Sequence, residues 1–262
     1  MTTSLLARDI TLSYGDTSIV SGLSLEVPDD SFTIIIGPNA CGKSTLLRGF
    51  ARLLRPTTGT VLLDGAELRT LKPREAAKGL GLLPQSSIAP DGITVADLVG
   101  RGRFPHQSAL RTWSTADEQA VSQAMAATGV TDLSRRLVDE LSGGQRQRVW
   151  VAMALAQQTR HLLLDEPTTF LDIAHQIDLM ELFADLHRSG TTLVAVLHDL
   201  NHAARYATHL VAMRDGEIVA QGDPREIITA ELVESVYDLP CRVITDPVAG
   251  TPLVLPLGRR TP

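Results

Sequence analysis

The run FTIII, residues 32–36, leads directly into GPNACGKST, residues 37–45, and apolar residues then recur at helical spacing: Leu46, Leu47, Phe50, Leu53 and Leu54. A short β-branched and aromatic run suits a strand buried on both faces of a parallel sheet. Gly37, Gly42, Lys43 and Ser44 fit the P-loop spacing, in which glycines let successive backbone N–H groups turn inward on phosphate. Lys43 offers a point charge to the β- and γ-phosphates, and the Ser44 hydroxyl offers a ligand for Mg²⁺. The helix that follows turns its N-terminus toward the same anion. Strand, phosphate loop and helix in this order confine the chain to an α/β fold and place a nucleoside triphosphate on it. They leave open what the nucleotide is for.

Composition removes several classes of answer. The net charge is −6 and there is no Lys/Arg block, which speaks against nucleic acid as a partner. No apolar run approaches the roughly 20 residues needed to span a bilayer. The start, MTTSLLARDI, lacks the pattern of a signal peptide, and Cys41 and Cys241 are too few for a disulfide scaffold. The expected place is the cytosol, with any membrane met through another protein. At 262 residues the chain suits one large domain or one domain with an inserted subdomain.

Along the chain, alternating stretches from Leu5 to Val27 read as antiparallel strands. TGTVLLDGAEL reads as a further strand turning on Asp64-Gly65. Gly81 to Gln85 reads as a short strand ending in an exposed glutamine. From about 88 to 160 helical periodicity prevails. Strands are expected again at His161–Leu164 and Thr192–Leu197, then a hairpin on Asp215-Gly216 and a pair around Asp246–Gly250. The expected architecture is an α/β P-loop NTPase core with a mixed sheet, an antiparallel β subdomain and an inserted α-helical subdomain. Residues 1–87 and 161–262 would form the core with its β subdomain, and 88–160 the helical part, within a single domain 1–262.

LSGGQ, residues 141–145, opens a second helix with Ser142 and two glycines, a second N-terminus ready for an anion. Alone it could equally be a serine N-cap with a Gly-Gly turn. With the P-loop upstream, the pentapeptide resembles the signature of the ABC ATPases, and further motifs follow in that family's order. The resemblance implies that Ser142, Gly144 and Gln145 of one subunit act in trans on ATP held by another. That ATP would lie on Gly37, Asn39, Cys41, Gly42, Lys43, Ser44 and Thr45, with Tyr14 stacked on the adenine. HLLLDE, residues 161–166, is similar to Walker B, although His161 departs from its apolar pattern. Asp165 would then order the Mg²⁺ ligands, shared with Ser44 and Gln85, and Glu166 would act as general base. Asp172 falls at the position that reaches across the subunit boundary, and His198 at the switch histidine. Outside the resemblance, His198 and His202 at i, i+4 also fit a zinc pair or a plain helix cap.

The resemblance spans Leu5 to about Arg259. VADLVGRGRFPHQ (95–107), TTFLDIAHQIDLMELFADLH (168–187) and TDPVAGTPLVLPLGR (245–259) narrow it to ATPases of bacterial ferric-siderophore importers, with haem and cobalamin importers near. It implies a homodimer on permease subunits at the cytoplasmic membrane face, with a substrate-binding lipoprotein as an indirect partner. Val99, Phe104 and Pro105 among basic residues are expected to form a surface receiving a partner's helix. Cys41, beside a helix N-terminus, is expected to favour its thiolate. Rival readings are an exporter motor and a soluble cassette of the Fe–S assembly type. A P-loop kinase conflicts with LSGGQ and the late His198.

Overall fold

A computed structural model describes residues 3–85, 88–107, 113–169 and 171–258. Phe170, within the stretch 168–187, and Arg259 lie outside them. The chain divides into two compact units, 1–70 with 192–262, and 71–191. The segment 88–160, expected as a helical insertion, lies within the second, which also takes in 71–87 and 161–191.

The first unit begins with β1 (Thr3–Tyr14) and β2 (Thr17–Pro28), joined through Gly15-Asp16. β3 (Phe32–Ile36) follows with every residue buried, and the loop 37–42 leads into α1 (Lys43–Phe50). β4 (Thr58–Leu63) and β5 (Ala66–Glu67) turn on Asp64-Gly65, as expected. β2, β1, β4 and β5 form an antiparallel sheet in that order, with Leu5 opposite Val27 on one side and Leu63 on the other. All three side chains are buried, so the alternation seen in the sequence marks the core face.

α1 stops earlier than its apolar spacing suggests. Arg52 takes a left-handed φ of 62°, and the N–H groups of Leu53 and Leu54 both return to the Arg48 carbonyl. That return satisfies the helix end, as left-handed closures do. It leaves Leu53 65% exposed, so Leu53 is no part of a buried helical stripe.

The second unit holds α2 (Pro73–Gly79), β6 (Leu80–Leu83), α3 (Val95–Gly100) and a 3₁₀ turn at Arg101–His106. Then come α4 (Thr115–Ala127), α5 (Gly143–Ala156), β7 (His161–Asp165) and α6 (Ile173–Arg188). β6 and β7 pair in parallel, Leu82 opposite Leu163. His161 is wholly buried at the start of β7, its Nδ1 3.2 Å from the Gly79 carbonyl. The departure from an apolar first position is thereby satisfied inside the strand entrance.

The first unit resumes with β8 (Thr192–Val196), α7 (Leu200–Tyr206), β9 (His209–Arg214) and β10 (Glu217–Gly222). After them come α8 (Pro224–Ile227), α9 (Ala230–Tyr237), β11 (Cys241–Thr245) and β12 (Pro252–Pro256). β3 lies between β8 and β9, parallel to both, while β10 returns antiparallel on β9. β11 and β12 pair around the turn 246–250, where a strand pair was expected. The fold is α/β with a mixed sheet.

Candidate functional site

In the first unit the parallel pairing of β3 and β8 puts their C-terminal ends side by side. One strand runs into the loop 37–42 and the other into His198. Ligands in open α/β sheets bind at such strand ends. The Leu197 N–H donates to Ile35 O at 3.2 Å, which carries the register almost to the histidine, and His198 itself is exposed.

The loop is braced from below. A Cβ on Gly37, whose φ is 151°, would stand 2.2 Å from the Met213 carbonyl oxygen of β9. Gly216, in the β9–β10 turn, donates its N–H to Cys41 O at 3.0 Å; a Cβ there would meet Ile19 O at 2.2 Å. Only glycine fits either place. Above this brace α1 begins at Gly42, left-handed with φ 103°, with no side-chain cap and no acid in its first turn. A helix N-terminus without a capping side chain or an acid favours an anion. Lys43 is 5% exposed and its ammonium donates to Gly37 O at 2.8 Å and Pro38 O at 2.7 Å. Asn39 and Ala40 are exposed on the loop, while Thr45 is buried in α1. Tyr14 is 44% exposed, and its hydroxyl accepts from Arg48 Nη1 at 2.9 Å, so the ring is held by its rim.

Cys41 departs from expectation. Its thiol is 4% exposed and packed inward beneath the loop. Burial raises its pKa, and the nearby Lys43 charge only partly offsets this. The helix end thus does not produce a thiolate here.

In the second unit β7 is buried along its length and ends on Asp165, itself 3% exposed. Glu166 follows with a left-handed φ of 51°, a conformation that costs a non-glycine residue about 1–3 kcal/mol and collects at functional positions. Gln85, exposed just beyond β6, donates its Nε2 to Glu166 Oε2 at 2.7 Å. The Thr169 hydroxyl reaches the same oxygen at 3.5 Å. The acid is thus oriented by two neutral donors, and Thr169 was not singled out from the sequence. The pair Asp165-Glu166 is no helix cap, because α6 starts at Ile173 with Asp172 as its N-cap. Asp172 accepts from the His175 N–H at 2.9 Å and from its Nδ1 at 2.7 Å.

α5 opens with a capping box. Ser142 Oγ accepts from the Gln145 N–H at 3.3 Å, and Gln145 Oε1 accepts from the Ser142 N–H at 3.1 Å. Ser142 and Gly143 are exposed, while Gly144 is half-buried. Two residues past the motif, Gln147 donates to Pro167 O at 2.9 Å, tying α5 to the segment after Glu166.

The stretch 95–107 differs from the expected surface in two places. Val99 is wholly buried, and Arg103 is only 4% exposed. Arg103 Nε donates to Asp117 Oδ1 at 2.9 Å, and its Nη1 to Ala156 O at 2.7 Å and Gln158 Oε1 at 2.9 Å. This arginine is an internal clamp on the C-terminal end of α5. Arg101 and Phe104 do face outward, Phe104 at 57%. The expected basic and apolar mixture survives only there.

His202 packs edge-on against Tyr206, the ring centroids 6.3 Å apart. Among the described residues no group of three or more His, Cys, Asp and Glu could hold a metal ion. Cavities of about 370 and 520 Å³ lie in the second and first units, and no residue of the loop 37–45 lines either.

A P-loop braced on its strands, a buried Walker B aspartate followed by an oriented glutamate, and a glycine-opened signature helix occur on one chain. The family described as ABC transporter matches residues 20–169. The chain belongs to the ABC transporter family. The ferric enterobactin transport ATP-binding protein FepC of Escherichia coli K12 is 57% identical over 259 residues, covering 98% of this chain and 96% of that protein. The petrobactin import ATP-binding protein FpuD of Bacillus anthracis is 50% identical, covering 99% and 95%. A solved ABC transporter in an inward-facing conformation superposes with a TM-score of 0.83 at 27% identity, covering 99% of both chains. This ABC cassette is an ATPase. ATP is its substrate, and no helix among its described residues is long and apolar enough to cross a membrane.

Proposed function

We propose that this cassette energises import of a ferric siderophore through a membrane permease, working as a homodimer at the cytoplasmic face. The observation that carries the reading is identity of 57% and 50%, over nearly the full length of both partners, to ATP-binding proteins for two different siderophores. A substrate-binding protein would deliver the chelate from outside. The segment 88–160 would serve as the helical subdomain that meets the permease through its outward-facing Phe104 and Arg101.

In this reading Lys43 and the first-turn N–H groups of α1 hold the β- and γ-phosphates. Glu166 takes the proton of the attacking water, its carboxylate oriented by Gln85 and Thr169. His198 donates to the γ-phosphate. Ser142, Gly144 and Gln145 complete the site of a second copy. Tyr14 offers its ring face to adenine. Ser44, Gln85 and Asp165 would hold Mg²⁺ through a hydroxyl, a carbonyl and a carboxylate oxygen, donor types suited to that ion. Gln85 fits it well, since its nitrogen is spent on Glu166 and its oxygen remains. The metal would supply charge neutralisation on the phosphates.

The test is uptake of radiolabel by cells lacking this protein, offered iron-labelled ferric enterobactin, ferric hydroxamate and haem, and cobalt-labelled cobalamin, each separately. Loss of ferric siderophore uptake, restored by the wild-type chain but not by its Glu166→Gln variant, supports the proposal. Intact siderophore uptake with loss of cobalamin or haem uptake would move the cassette to a neighbouring branch.

A further inference from the structure

The C-terminal stretch 245–258 supplies none of the candidate site residues, yet it is bonded to α7, the helix that follows His198. Asn201, in the first turn of α7, lies 53 residues from Val254 of β12. Its Oδ1 accepts from the Val254 N–H at 2.7 Å, and its Nδ2 donates to the Val254 carbonyl at 3.3 Å. The carboxamide thus pairs with both backbone groups of one residue, as a neighbouring strand would. Val254 is 3% exposed and stands opposite Val243, so the attachment point is the inner position of the hairpin.

The other side of Asn201 leads back to the histidine. Asp199, next to His198, accepts from the N–H groups of Asn201 at 2.8 Å and His202 at 2.9 Å, and so caps α7. α7 has seven residues and ends at Tyr206, too short to be stable without tertiary anchors. Among its anchors are Ala203 and Ala204, both buried, and the Asn201–Val254 pair. The same C-terminal region also reaches the P-loop. Tyr237, at the end of α9, buries its hydroxyl facing the backbone of Gly37, without hydrogen-bond geometry to any partner among the described residues. Asp238 beside it pairs with Arg214 Nη2 at 3.0 Å.

We propose that Asn201 is a positioning residue for His198, and that the hairpin 241–256 is the body to which it fixes α7, the helix that follows the histidine. The inference rests on His198 acting at the γ-phosphate. His198 sits between two restraints, the Leu197–Ile35 hydrogen bond before it and the Asp199–Asn201–Val254 chain after it. Removing the second lets the first turn of α7 shift, and a catalytic contact tolerates only about 0.5 Å of looseness. Asn201 itself does not touch nucleotide.

The experiment uses the purified full chain and steady-state hydrolysis of Mg-ATP. Asn201→Leu keeps the branched shape and removes both hydrogen bonds; kcat should fall about 3–10-fold, the range for one or two such bonds, with KM for ATP within about twofold. Asn201→Gln, which keeps both groups on a longer stem, should recover part of the loss. Should Asn201→Leu fail to fold, Asn201→Ala removes both hydrogen bonds without adding bulk, and kcat should fall over the same range. In a His198→Ala background Asn201→Leu should cost nothing further, because the restraint then has no imidazole to hold. Unchanged kcat in a folded Asn201→Leu chain overturns the proposal, as does an equal additional loss in the His198→Ala background. Full turnover by His198→Ala alone would instead overturn the histidine's role, and the proposal with it.

Discussion

α1 and α5 both begin with glycines, and their N-termini are built in opposite ways. α1 starts at a left-handed Gly42 with no side-chain cap and no acid in its first turn. Its one charged side chain there, Lys43, is folded onto the loop's own carbonyls. α5 closes its first turn with the Ser142–Gln145 capping box, and Arg103 takes the Ala156 carbonyl at its far end. A helix N-terminus without a cap leaves donors for an anion, and one with a cap has a stable end that can be presented whole. Under the proposed function the difference would separate two jobs: α1 would grip the phosphates of its own chain, and α5 would be a finished surface offered to a second copy.

The largest effect should come where chemistry depends on one side chain. Glu166→Gln should keep ATP binding and lose turnover by ~10²-fold or more, the scale for removing a general base. Equilibrium binding of a fluorescent ATP analogue beside a phosphate-release assay separates the two. Near-normal hydrolysis would place the base elsewhere. Next, Lys43→Ala should weaken ATP binding by roughly 10–100-fold, as expected for losing a charge-assisted contact. Ser142→Ala should leave binding to a single chain unaltered. Equal weakening by the two variants would erase the contrast between the helices.

The contrast was half visible in the sequence. The loop 37–45, the turn residues Asp64-Gly65 and Asp215-Gly216, and the apolar runs of β3 and β7 are local signals, and each element stands where they put it. What failed to show was set at a distance. Arg103 read as a surface cation because nothing near it in sequence reveals Asp117, fourteen positions on, or the Ala156 carbonyl. Val99 read as part of a docking surface, although α3 turns it wholly inward. Leu53 kept helical spacing past the point where Arg52 closes α1. At Cys41 proximity to a helix end suggested a thiolate, and packing against Gly37 decided otherwise. Gln85 and Glu166 were chosen by motif order, but their hydrogen bond and the left-handed backbone of Glu166 emerge only from the fold. The trans roles of Ser142 and Asp172 still rest on the proposal.

A smaller effect tests the cap itself. Ser142→Ala removes half of the capping box and should lower stability by about 1 kcal/mol, the usual cost of a lost serine cap. Chemical denaturation of the full chain would register it as a lower midpoint at unchanged m-value. If the serine also faces a second copy's nucleotide, dimer-dependent hydrolysis should fall by more than this loss of stability explains. Ser142→Asp separates the parts, since it can still cap α5 but brings a negative charge to an anion site. Stability should return while hydrolysis stays low. Recovery of both would leave α5 with a structural cap alone.

The last effect lies at the far end of α5 and shows itself as a pH dependence only in acid. Asp117 is 1% exposed, and its pKa is lowered to about 2, first by the Ser114 hydroxyl and then by Arg103, against the opposing effect of burial. Its ordinary value is 3.8, so above that pH the carboxylate is charged in both folded and unfolded chains and its contribution is complete. As pH falls from there toward about 2, the unfolded chain takes up a proton that the folded chain refuses, and the contribution is lost. Unfolding free energy measured against pH should therefore drop in this window with a slope of up to about one proton from this group. Asp117→Asn should remove that part of the slope while leaving ATP binding by α1 intact at pH 7. Ser114→Ala should move the same transition toward higher pH, because it deletes the first cause of the shift. An unaltered acid profile in Asp117→Asn would mean that Arg103 is held by its two carbonyl-type acceptors, Ala156 O and Gln158 Oε1, and that the far end of α5 does not depend on the ion pair.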